Sequence, residues 1–185
     1  MPASVIGVTG LSLGVVGVVS QTDFTLTTAR FLQTADTLNL NFGETAVLNL
    51  NNTYSSLKTW IAAGGTLLAT VSLGIAVADT TTNGVFPLAG GQNLAGGYYP
   101  PGALADVLTV GTINVAVNNG TPTGAGGPVY IRKILNGAIP AGVVGGFEAV
   151  ADSTNTVVMT NMVWKTGILS TDGTAQVTIL TRTMP

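Results

Sequence analysis

Apolar residues alternate with Thr and Asn along much of this chain, at the two-residue period that sends successive side chains to opposite faces of a strand. The pattern is clearest at Ile113, Val115 and Val117, which alternate with Thr112, Asn114 and Ala116 before Asn118-Asn119-Gly120 turns the chain. It recurs at Phe24 and Leu26 against Thr25 and Thr27, and at Leu38, Leu40 and Phe42 against Asn39 and Asn41. Leu48 and Leu50 repeat it against Asn49 and Asn51, and the Gly43-Glu44-Thr45 link predicts a hairpin between these last two segments. Residues 66–78 read as a more deeply buried strand. Further on, Val129-Tyr130-Ile131, a segment with Phe147, Ala149 and Ala151 opposed to Glu148, Val150 and Asp152, and residues 156–166 continue the series. The last strand turns Val177 and Ile179 inward and Gln176 and Thr178 outward, after an Asp172-Gly173 pair with tight-turn chemistry.

A single helical signal interrupts this. Ser55 or Ser56 can cap, Leu57, Trp60 and Ile61 fall at i, i+3 and i+4, and Gly64-Gly65 stop the run. Two turns are too few to stand alone, so packing must hold them, with Trp60 as the anchor. Over residues 79–102 the periodicity vanishes into Gly, Asn and Pro, ending at Tyr98-Tyr99-Pro100-Pro101. An irregular connection of that length is uncommon inside a domain. Its tyrosines suit a contact surface, or equally the covering of the loop's own base. The expected fold is all-β: a compact sandwich or barrel of short antiparallel strands, jelly-roll-like order included, with one short helix. Residues 1–22 form an extended N-terminal arm, and 23–185 a single all-β domain with the long loop at 79–102.

Residues 5–19 are apolar and β-branched, with four glycines and no Lys or Arg before them. That favours an extended arm docked on another subunit over a signal or membrane span. Composition sharpens the picture. Only 8% of the 185 residues are charged, for a net charge of −2, where ordinary domains carry about 25%. So neutral a surface repels its own copies weakly and suits burial in an assembly.

Cys and His are both absent. The chain therefore lacks disulfides, the usual general base, a thiolate nucleophile and soft metal ligands. Six scattered cations, with Arg132-Lys133 the only adjacent pair, cannot follow a phosphate backbone. Glu148 and Asp152 are the nearest acidic pair. Even spacing puts them on one strand face, where two solvated carboxylates explain them at least as well as acid/base chemistry. The Gly-rich 124–127 loop has neither the Lys-Ser/Thr nor the helix of a phosphate cradle. The expectation is no catalysis, no cofactor, no metal, no nucleic acid and no membrane.

The motifs of the second half form an ordered series. They run Asn119-Gly120-Thr121-Pro122, Gly126-Gly127-Pro128-Val129-Tyr130-Ile131-Arg132, then Ile139-Pro140-Ala141-Gly142 with Gly145-Gly146-Phe147-Glu148-Ala149 and Asp152. Trp164-Lys165-Thr166-Gly167, Asp172-Gly173 and Ile179-Leu180-Thr181-Arg182 complete it. This series resembles the structural cement, or capsid decoration, proteins of tailed bacteriophages, with weaker similarity from Asn41 onward. The arm and the 79–102 segment depart from the family pattern. The resemblance implies a non-enzymatic virion protein on the outer surface of the capsid. It would clamp neighbouring major capsid protein subunits as a homo-oligomer, dimer or trimer. A β-sandwich recognition module of a tail fibre or carbohydrate-binding type is the alternative, with Tyr98, Tyr99, Trp60 and Trp164 as stacking platforms. Val5, Ile6, Leu11, Leu13, Phe86, Tyr98 and Tyr99 are the candidate interface residues, chosen from the apolar arm and the loop aromatics.

Overall fold

The computed structural model describes residues 16–20, 25–78, 97–139, 141–168 and 173–182. They form twelve strands and one helix in the order β1 (Val19–Ser20), β2 (Leu26–Phe31), β3 (Leu40–Asn41), β4 (Thr45–Leu48), β5 (Tyr54–Ser56), α1 (Leu57–Ala62), β6 (Leu73–Ala76), β7 (Tyr98–Tyr99), β8 (Leu104–Asn119), β9 (Pro128–Arg132), β10 (Phe147–Glu148), β11 (Thr156–Trp164) and β12 (Thr174–Ile179). The expected all-β fold with one short helix is what forms.

Strand pairing closes into two rings that share β8. Its C-terminal half pairs with β12, which pairs in turn with β11, β9 and β10, and β10 returns to β8 in parallel through Phe147 and Val117. This barrel encloses Ile113, Val115, Val129, Ile131, Phe147, Met159, Met162, Trp164, Val177 and Ile179. The N-terminal half of β8 carries β2 on one edge and β6 on the other, followed by β4 and β5. A parallel bridge from Leu32 to Tyr54 closes that ring around a smaller core of Leu32, Leu40, Phe42, Tyr54, Tyr99, Ala105 and Val107.

At sixteen residues β8 is about 50 Å long, and it changes sides midway. Its pairing with β2 slips between Leu26 and Thr27, and the Thr109 hydroxyl donates to the Leu26 carbonyl across the slip at 3.0 Å. Gly111 then adopts φ +123°, which L side chains rarely reach. The irregularity moves the large core from the even position Leu108 to the odd positions Ile113 and Val115.

Several expectations shift. The 40–42 and 48–50 segments do not pair with each other. β3 joins β7, while β4 pairs with β5 and β6, because Gly43 (φ +72°) turns the chain against Val16 and Gly17. Leu50 sits at the tip of the β4–β5 hairpin, outside any strand. The 66–78 run is a strand only at Leu73–Ala76, since a turn brings the Val71 N–H to the Leu68 carbonyl. The alternation expected over 147–152 ends at Glu148. Helix α1 is capped by Ser56, whose hydroxyl accepts from the Thr59 N–H, and Gly65 packs against the Trp60 ring. Phe24, the Asp172 turn position and residues 79–96 lie outside the described residues.

Gly111→Ala should destabilise the fold by about 1–3 kcal/mol, the usual cost of forcing a side chain into such backbone. Urea denaturation would show a lower midpoint at unchanged slope.

Candidate functional site

β9 alternates: Val129 and Ile131 point into the large barrel, so Arg132, next in line, points out of its wall. Its guanidinium is nevertheless fully buried, because residues 133–139 and 141–146 fold back over it. Glu148, beside it on β10, is equally buried. Arg132 grips Glu148 with two donors, Nε to Oε1 and Nη2 to Oε2 at 2.9 Å. Nη1 donates to Asp152 Oδ2 at 2.7 Å and to the Ile134 carbonyl at 3.1 Å. The carboxylates are further satisfied by amides: Asn119 donates to Glu148, and Asn136 and Asn155 to Asp152. A bidentate, fully hydrogen-bonded pair is the form in which buried charge is tolerated.

Electrostatics follow from this packing. The hydrogen bond to Glu148 pushes Arg132 further above its ordinary value. Hydrogen bonds from Asn136 and then Arg132 hold the Asp152 carboxyl below its ordinary 3.8. The sequence reading put Glu148 and Asp152 on a solvated strand face. Glu148 instead lies between the barrel wall and the overlying loop, and Asp152 beyond the strand end. With both carboxylates occupied by one guanidinium, the pair offers no free acid or base.

The cluster fixes the loop. Besides the Arg132 contact to Ile134, the Gly145 N–H donates to the Arg132 carbonyl, and the Lys133 and Ile134 N–H groups donate to Asn155. Asn118 reaches the Ala141 carbonyl at 2.8 Å, and Thr45, from the smaller ring, reaches the Gly145 carbonyl at 3.0 Å. A Cβ on Gly142 would stand 2.7 Å from Arg132 Nε, so only glycine lets the loop close down on the ion pair. On this tethered loop stand three exposed apolar side chains: Ile134, Leu135 and Val143, at 50%, 68% and 48% exposure. Val143 also borders a cleft of about 380 Å³ shared with Val16, Gly43, Glu44, Gly145 and Gly146.

Val5, Ile6, Leu11, Leu13 and Phe86 lie outside the described residues. Tyr98 is half-buried on β7. Tyr99 is fully buried: its hydroxyl donates to the Val77 carbonyl at 2.9 Å and its ring meets Phe42 edge-on at 5.2 Å. It therefore covers the base of its own loop and shows no surface to a partner. Trp164 fills the large barrel, so it is no stacking platform either. Ile134, Leu135 and Val143, exposed on the loop, were not singled out in the sequence. The available signal was an apolar Ile-Leu pair placed directly after Arg132-Lys133, with no alternation to bury it.

A family model described as structural cement protein (E217 gp24/Pam3 gp6) matches residues 2–181. No curated protein matches the sequence. Among solved structures, a chain from "The capsid of Myoviridae Phage XM1" superposes with a TM-score of 0.58 at 15% identity, over 100% of both chains. At that identity the likeness is one of fold.

Arg132→Met strands a buried carboxylate and should cost about 3–5 kcal/mol, whereas Arg132→Met with Glu148→Leu should regain most of it; denaturant titration of both variants distinguishes the two outcomes. Asp152, held low, contributes stability that is complete above its ordinary 3.8 and lost as pH falls through its folded value. The margin by which wild type exceeds Asp152→Asn should thus be flat above about pH 5 and close toward acid, as read from thermal melts across pH.

Proposed function

The chain belongs to the structural cement protein family of phages and is a structural component of the virion capsid, and on that premise we propose that it stabilises the mature head by clamping neighbouring shell subunits from outside. The observation that carries this reading is the tethered apolar loop. Ile134, Leu135 and Val143 are exposed, yet their backbone is pinned by the buried Arg132–Glu148–Asp152 cluster and by bonds to both rings.

Rigid apolar anchors lose little entropy on docking, so more of their burial is available as affinity. The partner of this loop is the major capsid protein in its expanded lattice. A protein that binds that lattice and not its precursor shifts the equilibrium toward the mature form by mass action. Contacts to more than one subunit raise the effective strength without demanding a tight individual site. The work is binding, and Glu148 and Asp152 serve the loop's support.

Ile134→Asp with Leu135→Asp leaves the barrel interiors untouched and should weaken binding to purified expanded shells at least about tenfold. Co-sedimentation measures this directly. Shells lacking the protein should rupture at lower temperature and regain resistance with wild type but not with the double variant. Shells equally robust with and without the wild-type protein would overturn the proposal.

A further inference from the structure

A groove beside the β4–β5 hairpin carries binding groups of a different kind from those of the tethered loop. It runs between residues 47–51 and the 70–72 segment and holds about 810 Å³, within the roughly 300–1,000 Å³ usual for small-ligand sites. Half of its lining is polar, and that half is neutral throughout: the amides of Gln33, Asn49 and Asn51 and the hydroxyls of Thr70 and Ser72. Trp60 stands against them, with aliphatic side chains of the hairpin and of the 70–72 segment.

These groups are held in place from behind. Asn51 donates to the Gln33 amide oxygen at 3.3 Å and accepts from the Thr53 hydroxyl at 2.7 Å. Asn49 donates to Ser55 at 2.9 Å, and Ser55 donates on to the buried Asp36 at 3.1 Å. Arg30 fixes the hairpin tip through Asn52. One half of the Gln33 and Asn49 amides is thereby committed, and the other half is left over. Among the described residues the Gln33 nitrogen, the Asn49 oxygen, the Thr70 hydroxyl and the Trp60 indole N–H make no hydrogen bond. Trp60 is oriented too. Gly65 lies against its six-membered ring, where a Cβ would stand 2.4 Å from Cδ2, and the half-buried indole also lines the groove.

We propose that this groove binds a neutral oligosaccharide, with one pyranose ring stacked on Trp60 and its hydroxyls met by Gln33, Asn49 and Thr70. A pyranose offers an apolar face of ring C–H groups and a rim of hydroxyls, each both donor and acceptor. An indole matches the face, having a flat apolar body and a polar tip. Fixed amide nitrogens and oxygens match the rim, because they supply donors and acceptors without charge. Other classes of ligand fit less well. No lining residue is ionisable, and Arg30, spent on Asn52, lies outside the lining, so a phosphate or carboxylate finds no counter-ion. An acyl chain would strip water from the polar half and return nothing. An added peptide strand needs an open edge, and both edges of β4 are taken, by β5 and β6. The groove lies at the Leu48 end of β4, whereas the tethered loop meets Thr45 at the other. Saccharide binding is therefore separate from docking on the shell, and either can fail without the other.

The test uses the full chain without shells. It is screened on an array of neutral di- to tetrasaccharides with 3′-sialyllactose as the charged comparison, and every hit is titrated by calorimetry. At least one neutral oligosaccharide should bind saturably. Trp60 and Trp164 are the two tryptophans, and Trp164 is buried in the barrel, so bound sugar should shield the fluorescence of Trp60 from acrylamide. Trp60→Ala should weaken binding at least about tenfold, and Trp60→Phe, which keeps a ring, should recover part of the loss. Thr70→Val changes only an exposed hydroxyl without a partner. It should leave the circular dichroism spectrum unchanged and weaken binding about threefold to tenfold, the worth of one hydrogen bond. No hit on the array, binding of sialyllactose alone, or an affinity indifferent to both Trp60→Ala and Thr70→Val would overturn the proposal.

Discussion

One strand has to serve as a wall of two barrels, and the rest of the architecture follows from how β8 manages it. A strand side chain faces one way or the other by parity alone, so a regular sixteen-residue strand would present a single face to the large core along its whole length. β8 cannot be regular. Its even residue Leu108 and its odd residues Ile113 and Val115 all reach the same core. The slipped pairing at Leu26/Thr27 and the positive φ of Gly111 supply the required change of phase. Without it, Ile113 and Val115 would turn to the opposite face, which is the usual consequence of a one-residue slip. The edges divide accordingly: β2 and β6 take the half before Gly111, and β12, β1 and β10 the half after it.

Buried ions look out of place in a chain with so few charges. Two apolar residues of matching shape would often hold a wall at least as well as an ion pair. What apolar packing could not do is tie down a loop lacking secondary structure of its own. The backbone polar groups of residues 133–139 and 141–146 need partners, and Arg132 serves as a junction with fixed directions. Its guanidinium meets Glu148 on the barrel wall, Asp152 on the following turn and the Ile134 carbonyl on the loop. Gly142 lets the backbone descend close enough for this geometry, and Gly145 and Gly146 let it pass equally close to Thr45 and Asn118. In this fold the cluster's charge ties the loop to the barrel wall and the following turn in fixed directions.

How much of this could be read from residues alone depended on how local the cause was. The all-β class, the Ser56-capped helix and the inward set of Val177 and Ile179 rest on period and capping chemistry, which neighbouring residues decide. The hairpin expected between the Leu40 and Leu48 segments was wrong because Gly43 answers to Val16 and Gly17, partners far away in sequence. β8 went unrecognised as one strand because Gly111 interrupts its apolar pattern at the place where it changes sides. Glu148 read as solvated because the loop that covers it is invisible to strand periodicity. Tyr99 read as a contact residue although Phe42 and the Val77 carbonyl enclose it. The motif series itself was legible, and the structure brings several of its members together: Arg132, Gly142, Glu148 and Asp152 meet at one guanidinium.

The scarcity of charge also takes on a more specific meaning. Several of the few ionised groups are spent internally: Arg132 with Glu148 and Asp152, and Lys58 with Glu44 at 2.9 Å. The rest of the surface carries few ions among hydroxyls, amides and backbone, with exposed apolar side chains such as Ile134 and Leu135 on a braced loop. For a protein that must pack against a closely spaced lattice, this is a consistent solution. Neutral polar groups cost far less to desolvate than ions, so such a surface can approach a shell closely with a small electrostatic penalty. In the proposed docking, affinity then rests on the few apolar side chains of the tethered loop, whose orientation the fold has already set.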